Sequence, residues 1–186
     1  MGFLFCVQVL IMKEIQLVGG GGLAKDIISC FQQEVFISGI WDDGLPVGST
    51  FFNIPVLGSI ANLIPGYAIP LLIAVDNPIV RKNIFDKLAD KEITPETLIH
   101  STARIFHPES VLLGKGCLLM PYSYITNSVS LGENCLLHIH AGLHHDVQLG
   151  AHAVLMPGAR ITCGFTSSEC YLLDTNEVIK ISRGTH

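Results

Sequence analysis

The sequence predicts two architectures in series, a small α/β region followed by a parallel β-helix. Three observations support this prediction: a run of glycines between an apolar segment and a helical pattern near residue 20, a second apolar segment that ends in polar residues near residue 76, and a six-residue repeat from residue 99 onward. Of the 186 residues, 49% are hydrophobic and 15% charged, so the chain has enough apolar side chains to build a packed core.

Charge and cysteine content narrow the class of protein. The formal net charge is -5, and Lys and Arg form no long run, so a nucleic-acid-binding or anionic-membrane surface is not indicated. Residues 1–12 are apolar but lack the basic start and cleavage site of a secretion signal and are too short to span a bilayer, so we interpret them as an N-terminal extension. The six cysteines form no CxxC pair, and we expect reduced thiols in a cytoplasmic protein.

A strand, a glycine loop and a helix are predicted at the start of the α/β region. Residues 15–18 form a short apolar run typical of a buried parallel strand, and apolar residues recur at helical spacing from Leu23 to Phe31. A helix that begins directly after a glycine loop presents N–H groups that can bind a phosphate or another anion. A tight turn that binds nothing is the alternative, because this glycine pattern alone is weak evidence. The glycines are Gly19, Gly20, Gly21 and Gly22.

Carboxylates follow two further predicted strands. Asp42 and Asp43 come at the end of a strand over residues 35–44, where a carboxylate can bind ribose hydroxyls or, equally well, stabilise a turn. A buried strand over residues 70–78 ends in Asp76 and Asn77. Because the carboxyl ends of parallel strands line the usual ligand crevice of an open α/β sheet, we expect these polar groups to contact substrate.

Two cations occupy an unusual place in the next predicted helix. Arg81 and Lys82 lie in its first turn, where the helix dipole does not favour positive charge. We therefore expect them to face an anionic ligand, with simple solvent exposure as the alternative.

A period of six residues covers the second half of the chain. From Ile99 to Gly164 the sequence divides into eleven consecutive hexads, in which the first residue is small or aliphatic and the third, from Leu113 onward, is always Leu or Ile. Such a repeat predicts a parallel β-helix, in which three six-residue strands close one triangular coil. Two cysteines at the first position, Cys117 and Cys135, are then predicted to be small core residues rather than ligands.

The hexad pattern ends before the chain does. After Gly164 small and branched residues no longer occupy their positions, and we expect the β-helix over residues 98–164 to be truncated, with residues 165–186 as a divergent tail. The tail is predicted to be an out-of-frame remnant or a strand that covers the open end of the β-helix.

The hexads, together with the segments VGGGGLAKDI, GIWDDG, IPVLGS and VDNPIVRKNI, resemble the PglD/NeuD group of bacterial sugar acetyltransferases over residues 13–164. The resemblance implies a Rossmann-like domain over residues 13–97 that binds a nucleotide sugar, and a left-handed β-helix that forms a homotrimer and takes acetyl-CoA. It implies transfer of an acetyl group to an amino or hydroxyl group of a nucleotide-activated or sialic-type sugar in polysaccharide biosynthesis.

The resemblance also assigns a catalytic histidine. In that group the base is a histidine flanked by acids, five residues before a hexad glycine, and this position falls on His145 with Asp146 after it. His145 is then expected to take a proton from the sugar acceptor as the acceptor attacks the thioester, while Asp146 orients the ring. The acid expected before the base is His144 here, which leaves the orientation to Asp146.

For acetyl-CoA, the resemblance points to residues after the base. The group places a second histidine at the position of Val154, with His152 as the nearest substitute, and Gly164 follows at the end of the repeat. Because these positions depart from the pattern and the coils look shortened, an alternative is a catalytically impaired, trimeric protein that binds a sugar nucleotide but has an incomplete CoA site.

A metal site is the competing interpretation of the clustered histidines. His138, His140 and His144 with Asp146 have ligand chemistry suited to a borderline metal. Alternate side chains of a strand point to opposite sides, so one copy of the chain is not expected to bring them together, and no metal is predicted.

Overall fold

In the computed structural model, which describes residues 12–180, the N-terminal part is a five-stranded sheet with two helices. Its neighbouring strands are parallel, except for one antiparallel hairpin at the edge. The strands are β1 (Lys13–Val18), β2 (Val35–Trp41), β3 (Thr50–Phe51), β4 (Ile54–Gly58) and β5 (Leu71–Ile73), in the order β3-β4-β2-β1-β5; the helices are α1 (Gly22–Cys30) and α2 (Pro78–Ala89).

The apolar runs account for the centre of this sheet. β1 pairs with both β2 and β5, and the second half of β1 and all of β5 are buried. After Gly58 the chain makes a single 3-10 turn, Ile60–Asn62, which is capped by Ser59. The hairpin formed by β3 and β4 was not predicted, because the two residues of β3 are too few to show a period.

The C-terminal part is a parallel β-helix with three faces. The packed face lies against the N-terminal sheet, the open face follows it along each coil, and the short face completes the coil. Packed-face strands are Leu98–Ile99, Leu118–Leu119, Leu136–Leu137, Val154–Leu155 and Leu172–Leu173; open-face strands are Arg104–Ile105, Tyr124–Ile125, Gly142–Leu143, Arg160–Ile161 and Val178–Ile179; short-face strands are Val111–Leu113, Val129–Leu131 and Gln148–Leu149.

The predicted core columns are confirmed. First-position residues from Cys117 to Ala159 and third-position residues from Leu119 to Ile161 fill the interior of the β-helix. All of them belong to one hydrophobic cluster except Ser123, which is buried and polar. Cys117 and Cys135 are fully buried members of this cluster, as predicted.

The first two hexads are offset from the predicted frame. Leu98 pairs with Leu118 and Arg104 with Tyr124, twenty residues apart, whereas Val111 pairs with Val129, eighteen residues apart. Two extra residues therefore lie between residues 105 and 111, where the chain makes the 3-10 turn Pro108–Ser110. The expectation of eleven hexads without a gap is wrong here, because Ile99 and Ile105 occupy the third position of their strands rather than the first.

The expectation that the β-helix ends at Gly164 is also wrong. Val154 pairs with Leu172 and Arg160 with Val178, each in the eighteen-residue register of the earlier coils. The intervening hexad, residues 165–170, lacks the apolar pattern, yet it keeps its place through backbone hydrogen bonds that flank a bridge between Gln148 and Thr166. The β-helix thus extends through Ile179, and residues 165–180 of the tail continue it rather than cover its end; residues 181–186 lie outside the described part of the chain.

The packed face joins the two parts of the molecule. Outward-pointing residues of this face, such as Leu118, Leu136 and Val154, belong to one buried cluster with Ile15 and Ile27 of the N-terminal part. The corner between the open and short faces is the vertex opposite the packed face, so it lies on the far side of the β-helix from the sheet.

From Gly116 onward, each described coil corner turns through a residue in the left-handed region. The sixth hexad position has a positive φ from Gly116 to Asn176, including 55° at Asn134, 60° at Asp146 and 61° at His152. Asn, Asp and Gly tolerate this conformation better than other residues, which explains their recurrence at this position.

Candidate active site

His145 and Asp146 form a hydrogen-bonded pair at the open–short corner. The imidazole Nδ1 lies 2.8 Å from the Asp146 Oδ2, and the side chains are 45% and 52% exposed. The left-handed φ of Asp146 turns the chain at the corner directly after the histidine, and the Asp146 carboxylate lies beside the His145 ring. With the Nδ1–H donating to the carboxylate, Nε2 of a neutral ring carries the lone pair and can take a proton.

Gly164 lies one coil further along the same corner. Its N–H donates to the carbonyl oxygen of His145 at 3.1 Å, so the structure brings this residue next to the pair, as the sequence assignment to acetyl-CoA requires. A Cβ placed on Gly164 would meet no atom within 4 Å, so space remains open beside the pair. Its φ of 56° would strain most other residues.

His144 has a different partner from its neighbour. Its Nε2 lies 3.2 Å from the hydroxyl oxygen of Tyr124, which is on the preceding coil of the open face. The Tyr124 ring occupies the space above Gly142, where an added Cβ would lie 2.2 Å from the Tyr124 Cζ. Sequence analysis missed Tyr124; the eighteen-residue spacing between Tyr124 and Gly142 was the signal that could have found it.

A shallow groove runs along the open face below this corner. Its volume is about 440 Å³, and Tyr124 is among the residues that line it. The other lining residues are Ser101, Thr102, Arg104, Phe106, Tyr122 and Ser123.

A second candidate site lies at the carboxyl ends of the sheet strands. A crevice of about 290 Å³ is bounded by Gly19, Asp42, Val75 and one side of α2, and it adjoins a cavity of about 530 Å³. Gly19 has a φ of 106°, and a Cβ there would lie 2.6 Å from the Val75 Cγ2, so this position requires glycine.

The rest of the glycine loop leads into α1. A Cβ on Gly21 or Gly22 would meet nothing within 4 Å, and no side chain caps the N-terminus of α1. The first-turn N–H groups therefore keep the capacity to bind an anion, as expected.

The carboxylates of Asp42 and Asp43, at the end of β2, accept hydrogen bonds from nearby backbone N–H groups and so are not free. Asp42 accepts hydrogen bonds from the N–H groups of Gly20, Gly44 and Leu45, at 2.7, 2.8 and 2.9 Å. Asp43 accepts from the Ser59 hydroxyl and the Ile60 N–H; these bonds, chiefly that from Ser59, lower the pKa of its carboxyl. The turn-stabilising alternative thus accounts for both residues, although both still line the crevice.

The residues after β5 have separate roles. Asn77 caps α2, because its side-chain oxygen accepts from the N–H groups of Ile79 and Val80. Asp76, half-buried beside it, makes no hydrogen bond or ion pair within the described part of the chain. It is therefore the predicted strand-end carboxylate that keeps its capacity to accept one from a substrate.

The expected role of Arg81 and Lys82 needs correction. Arg81 is fully buried and donates to backbone and side-chain oxygens of the protein itself, so it faces no anionic ligand. Lys82 pairs with Asp86 at 3.5 Å and Glu169 at 3.6 Å, and these carboxylates raise its pKa. The cation that lines the crevice is Lys87, which the sequence analysis did not single out.

Two of the residues expected to contact acetyl-CoA are not accessible. Val154 is fully buried in the cluster between the packed face and the sheet. His152 is 4% exposed, covered by the edge of the Phe85 ring, and burial lowers its pKa. Both lie on the side of the β-helix that faces the N-terminal part, because the second and sixth positions of these hexads meet α2 and the sheet there.

The histidines are distributed over different corners. His138 lies at the corner between the packed and open faces, 3.6 Å from Asp26 of α1, whereas His144 and His145 lie at the next corner. Within residues 12–180 no group of three His, Cys, Asp or Glu side chains is placed to hold a metal ion. In the same range no helix is long and apolar enough to cross a membrane.

Comparison with solved structures identifies the fold. Over 90% of its length the chain matches the acetyltransferase domain of PglB from Neisseria gonorrhoeae in complex with acetyl coenzyme A, with a TM-score of 0.77, 22% identity and 82% of that chain covered. A variant of perosamine N-acetyltransferase from Caulobacter crescentus, in complex with CoA and GDP-perosamine, matches 90% of this chain and 88% of its own with a TM-score of 0.66 and 22% identity.

WeeI from Acinetobacter baumannii is a further match, with a TM-score of 0.58, 19% identity, and coverage of 86% of this chain and 93% of that chain. No protein-family model and no curated protein matches the chain. The structural matches confirm the predicted likeness at the level of fold: the chain has the left-handed β-helix fold of sugar acetyltransferases of the hexapeptide-repeat type.

Proposed function

We propose that this chain is an acetyltransferase that moves an acetyl group from acetyl-CoA to an amino or hydroxyl group of a nucleotide-activated sugar. The observation that supports it most directly is the His145–Asp146 pair, a base with an oriented ring at an exposed corner of an acetyltransferase fold. A sialic-type acceptor and a role in polysaccharide biosynthesis in the cytoplasm belong to the same proposal.

His145 supplies the proton transfer that this reaction needs. As the acceptor nitrogen or oxygen attacks the thioester carbonyl, Nε2 takes the proton that the acceptor loses. The carbon–sulfur bond then breaks, and the imidazolium returns its proton to the departing CoA sulfur. Asp146, at 2.8 Å from Nδ1, holds the ring orientation and stabilises the imidazolium between the two steps.

The crevice of the N-terminal part suits the nucleotide sugar, and this proposal includes a Rossmann-like role for residues 13–97. The uncapped N-terminus of α1 after Gly21 supplies N–H donors for a phosphate, and Lys87 supplies a positive charge in the crevice that Gly19 also lines. Asp76 is available for a sugar or ribose hydroxyl. Support comes from the perosamine N-acetyltransferase match, which has GDP-perosamine bound.

The position of the base favours a site shared between copies. The N-terminal part packs on the packed face, whereas His145 lies at the opposite vertex of the triangular β-helix. A sugar held in the crevice of one chain is therefore separated from His145 of the same chain by the β-helix. Transfer becomes possible when the crevice of one copy meets His145 of another, which supports the proposed homotrimer.

Acetyl-CoA fits the open side of the same corner. Gly164 leaves space beside the pair, and the groove below Tyr124 offers a long apolar and polar surface for a slender co-substrate. The coil formed by residues 165–179 lengthens the β-helix beyond the expected end, which removes the main argument for an incomplete CoA site.

The second candidate is a trimeric protein that binds a sugar nucleotide without catalysis. It is favoured by the buried state of Val154 and His152, the two positions at which the resemblance places an acetyl-CoA contact. Under this candidate the chain binds the nucleotide sugar but not acetyl-CoA.

The test is acetyl transfer by the purified full-length chain to nucleoside-diphosphate amino sugars, followed by CoA thiol release. Transfer by the wild type and its loss in His145→Ala would support the proposal. His107→Ala is the matched control, because His107 is an exposed histidine two coils earlier on the same corner, and it pairs with Glu109 rather than with Asp146. Equal rates for the wild type and His145→Ala would overturn the assignment of the base.

A further inference from the structure

Helix α2 contacts the substrate crevice with one side and the β-helix with another. Val80, Asn83 and Lys87 line the crevice at helical spacing. Arg81 and Phe85, on the neighbouring side, contact residues Asn134 and His152 of the coil corners between the short and packed faces. The same helix therefore forms a wall of the crevice and a joint with the β-helix.

The joint is centred on the buried guanidinium of Arg81. Its Nη1 donates to the carbonyl oxygens of Ile73 and Val75 at 3.0 and 2.8 Å, where β5 ends and the crevice begins. Its Nε and Nη2 donate to the backbone carbonyl and side-chain oxygen of Asn134 at 3.1 and 2.7 Å. One planar group thus ties the lip of the crevice to a corner of the β-helix.

Asn134 completes the joint from the other side. Its side-chain N–H₂ donates to the backbone carbonyl of Arg81 at 3.2 Å and to Nδ1 of His152 at 3.0 Å. The acceptor role of Nδ1 places the proton of the neutral His152 ring on Nε2. Asn134 itself has a left-handed φ of 55°, as expected for a residue at a coil corner.

The charge in this joint is unusual. Burial lowers the pKa of the Arg81 guanidinium to about 10, so it remains protonated at neutral pH. No carboxylate of the described residues lies within ion-pair distance of it, although Asp76 is near enough to favour its charge. Each of its three nitrogens donates to a neutral oxygen. A buried cation held in this way is costly compared with an apolar side chain, which favours a role in fixing geometry over a role in stability alone.

We propose that Arg81 and Asn134 are positioning residues that lock the substrate crevice to the β-helix, so that a sugar bound in the crevice is presented at a fixed place relative to the base of the neighbouring copy. The proposal deepens the proposed function and rests on it for its kinetic consequence. In a site shared between copies, the β-helix fixes the position of His145, whereas α2 and β5 fix the position of the sugar. The two reactants keep a constant distance only if α2 and β5 are held rigidly on the β-helix. Small displacements of bound reactants reduce the rate strongly without loss of binding.

The test variant is Asn134→Gly in the full-length chain, since glycine keeps the left-handed backbone and the carbonyl that accepts from Nε. It removes the oxygen that accepts from Nη2 and both side-chain donations. Affinities for the nucleotide sugar and acetyl-CoA should be unchanged while kcat falls about tenfold or more. Asn176→Gly is the matched control, because Asn176 has a φ of 60° at an exposed corner, and its kcat should equal that of the wild type.

Asn134→Asp provides the conservative comparison. It keeps a side-chain oxygen for Arg81 and should retain most of the wild-type kcat. A wild-type kcat in Asn134→Gly would overturn the proposal, and so would an Asn134→Asp variant as slow as Asn134→Gly.

Hydrogen exchange separates this proposal from the proposed function. If the wild type transfers no acetyl group, the proposed function fails, and exchange decides the lock by itself. Faster exchange of the β5 and α2 amides in Asn134→Gly, but not in Asn176→Gly, supports the lock; equal exchange in the two variants overturns it.

Discussion

Replacement of Asp146 by Asn isolates the contribution of its charge to the candidate base. Asn has nearly the same size and tolerates the left-handed φ of 60°, so the corner should keep its conformation. The Asn side chain still places an oxygen or an amide near Nδ1 of His145, but it no longer stabilises the imidazolium that forms when His145 takes a proton.

The expected magnitude follows from the geometry of the pair. A hydrogen bond to a charged group contributes about 1.5–3 kcal/mol. The two side chains are 45% and 52% exposed, so solvent screening favours the lower end of this range. A loss near 1.4 kcal/mol corresponds to about a tenfold lower kcat.

The assay is the initial rate of CoA thiol release at saturating acetyl-CoA and acceptor. Asp174→Asn is a matched control, since it removes an exposed carboxylate from a different corner of the β-helix, and it should leave kcat unchanged. An Asp146→Asn variant with the kcat of the wild type would refute the inference that this carboxylate supports the base.

Three further predictions concern stability and binding. Gly132→Ala places a Cβ 2.5 Å from the backbone nitrogen of Ala151 on the next coil. Such overpacking should lower the free energy of unfolding by about 3 kcal/mol and the melting temperature by about 5–10 °C. The control Gly22→Ala, whose Cβ meets no atom within 4 Å, should cause no such loss. Burial outweighs the attraction of the Asp26 carboxylate and lowers the pKa of His138 below 6.5, so the stability that its neutral ring contributes is complete above about pH 6.5 and declines below it, where the unfolded chain takes up a proton. The variant His138→Gln should therefore flatten the pH dependence of the free energy of unfolding, measured with urea, below about pH 6.5. An unchanged slope would contradict this. Lys87→Ala should weaken binding of a nucleoside diphosphate by calorimetry more at low than at high salt, and equal weakening at both would argue against a phosphate contact.

The six-residue repeat of the β-helix is the part of the fold that the sequence predicts best. Residues such as Leu137 and Ala141 recur at fixed positions because the interior of a β-helix accepts only small and branched side chains, so the period survives in the sequence. The pattern failed at its ends, where a two-residue insertion before Val111 and the polar hexad after Gly164 leave the backbone ladder intact. Backbone hydrogen bonds hold these segments, and they have no side-chain signature.

The candidate site was predictable where chemistry depends on neighbours in sequence. His145 and Asp146 are adjacent, so their pairing follows from one left-handed turn. Arg81 was misassigned because its partners, Ile73, Val75 and Asn134, come from three separate segments that only the packing of α2 on the β-helix brings together. The charge of a residue in a helix does not reveal which side of the helix it occupies in the fold.

Titration of acetyl-CoA into the purified full-length chain by calorimetry tests the central claim most directly, because it does not require the acceptor sugar to be known. An acetyltransferase with its co-substrate site beside His145, Asp146 and Gly164 should bind acetyl-CoA at one site per chain. Absence of binding by a folded, trimeric chain would contradict the account and leave a protein that binds a nucleotide sugar without catalysis.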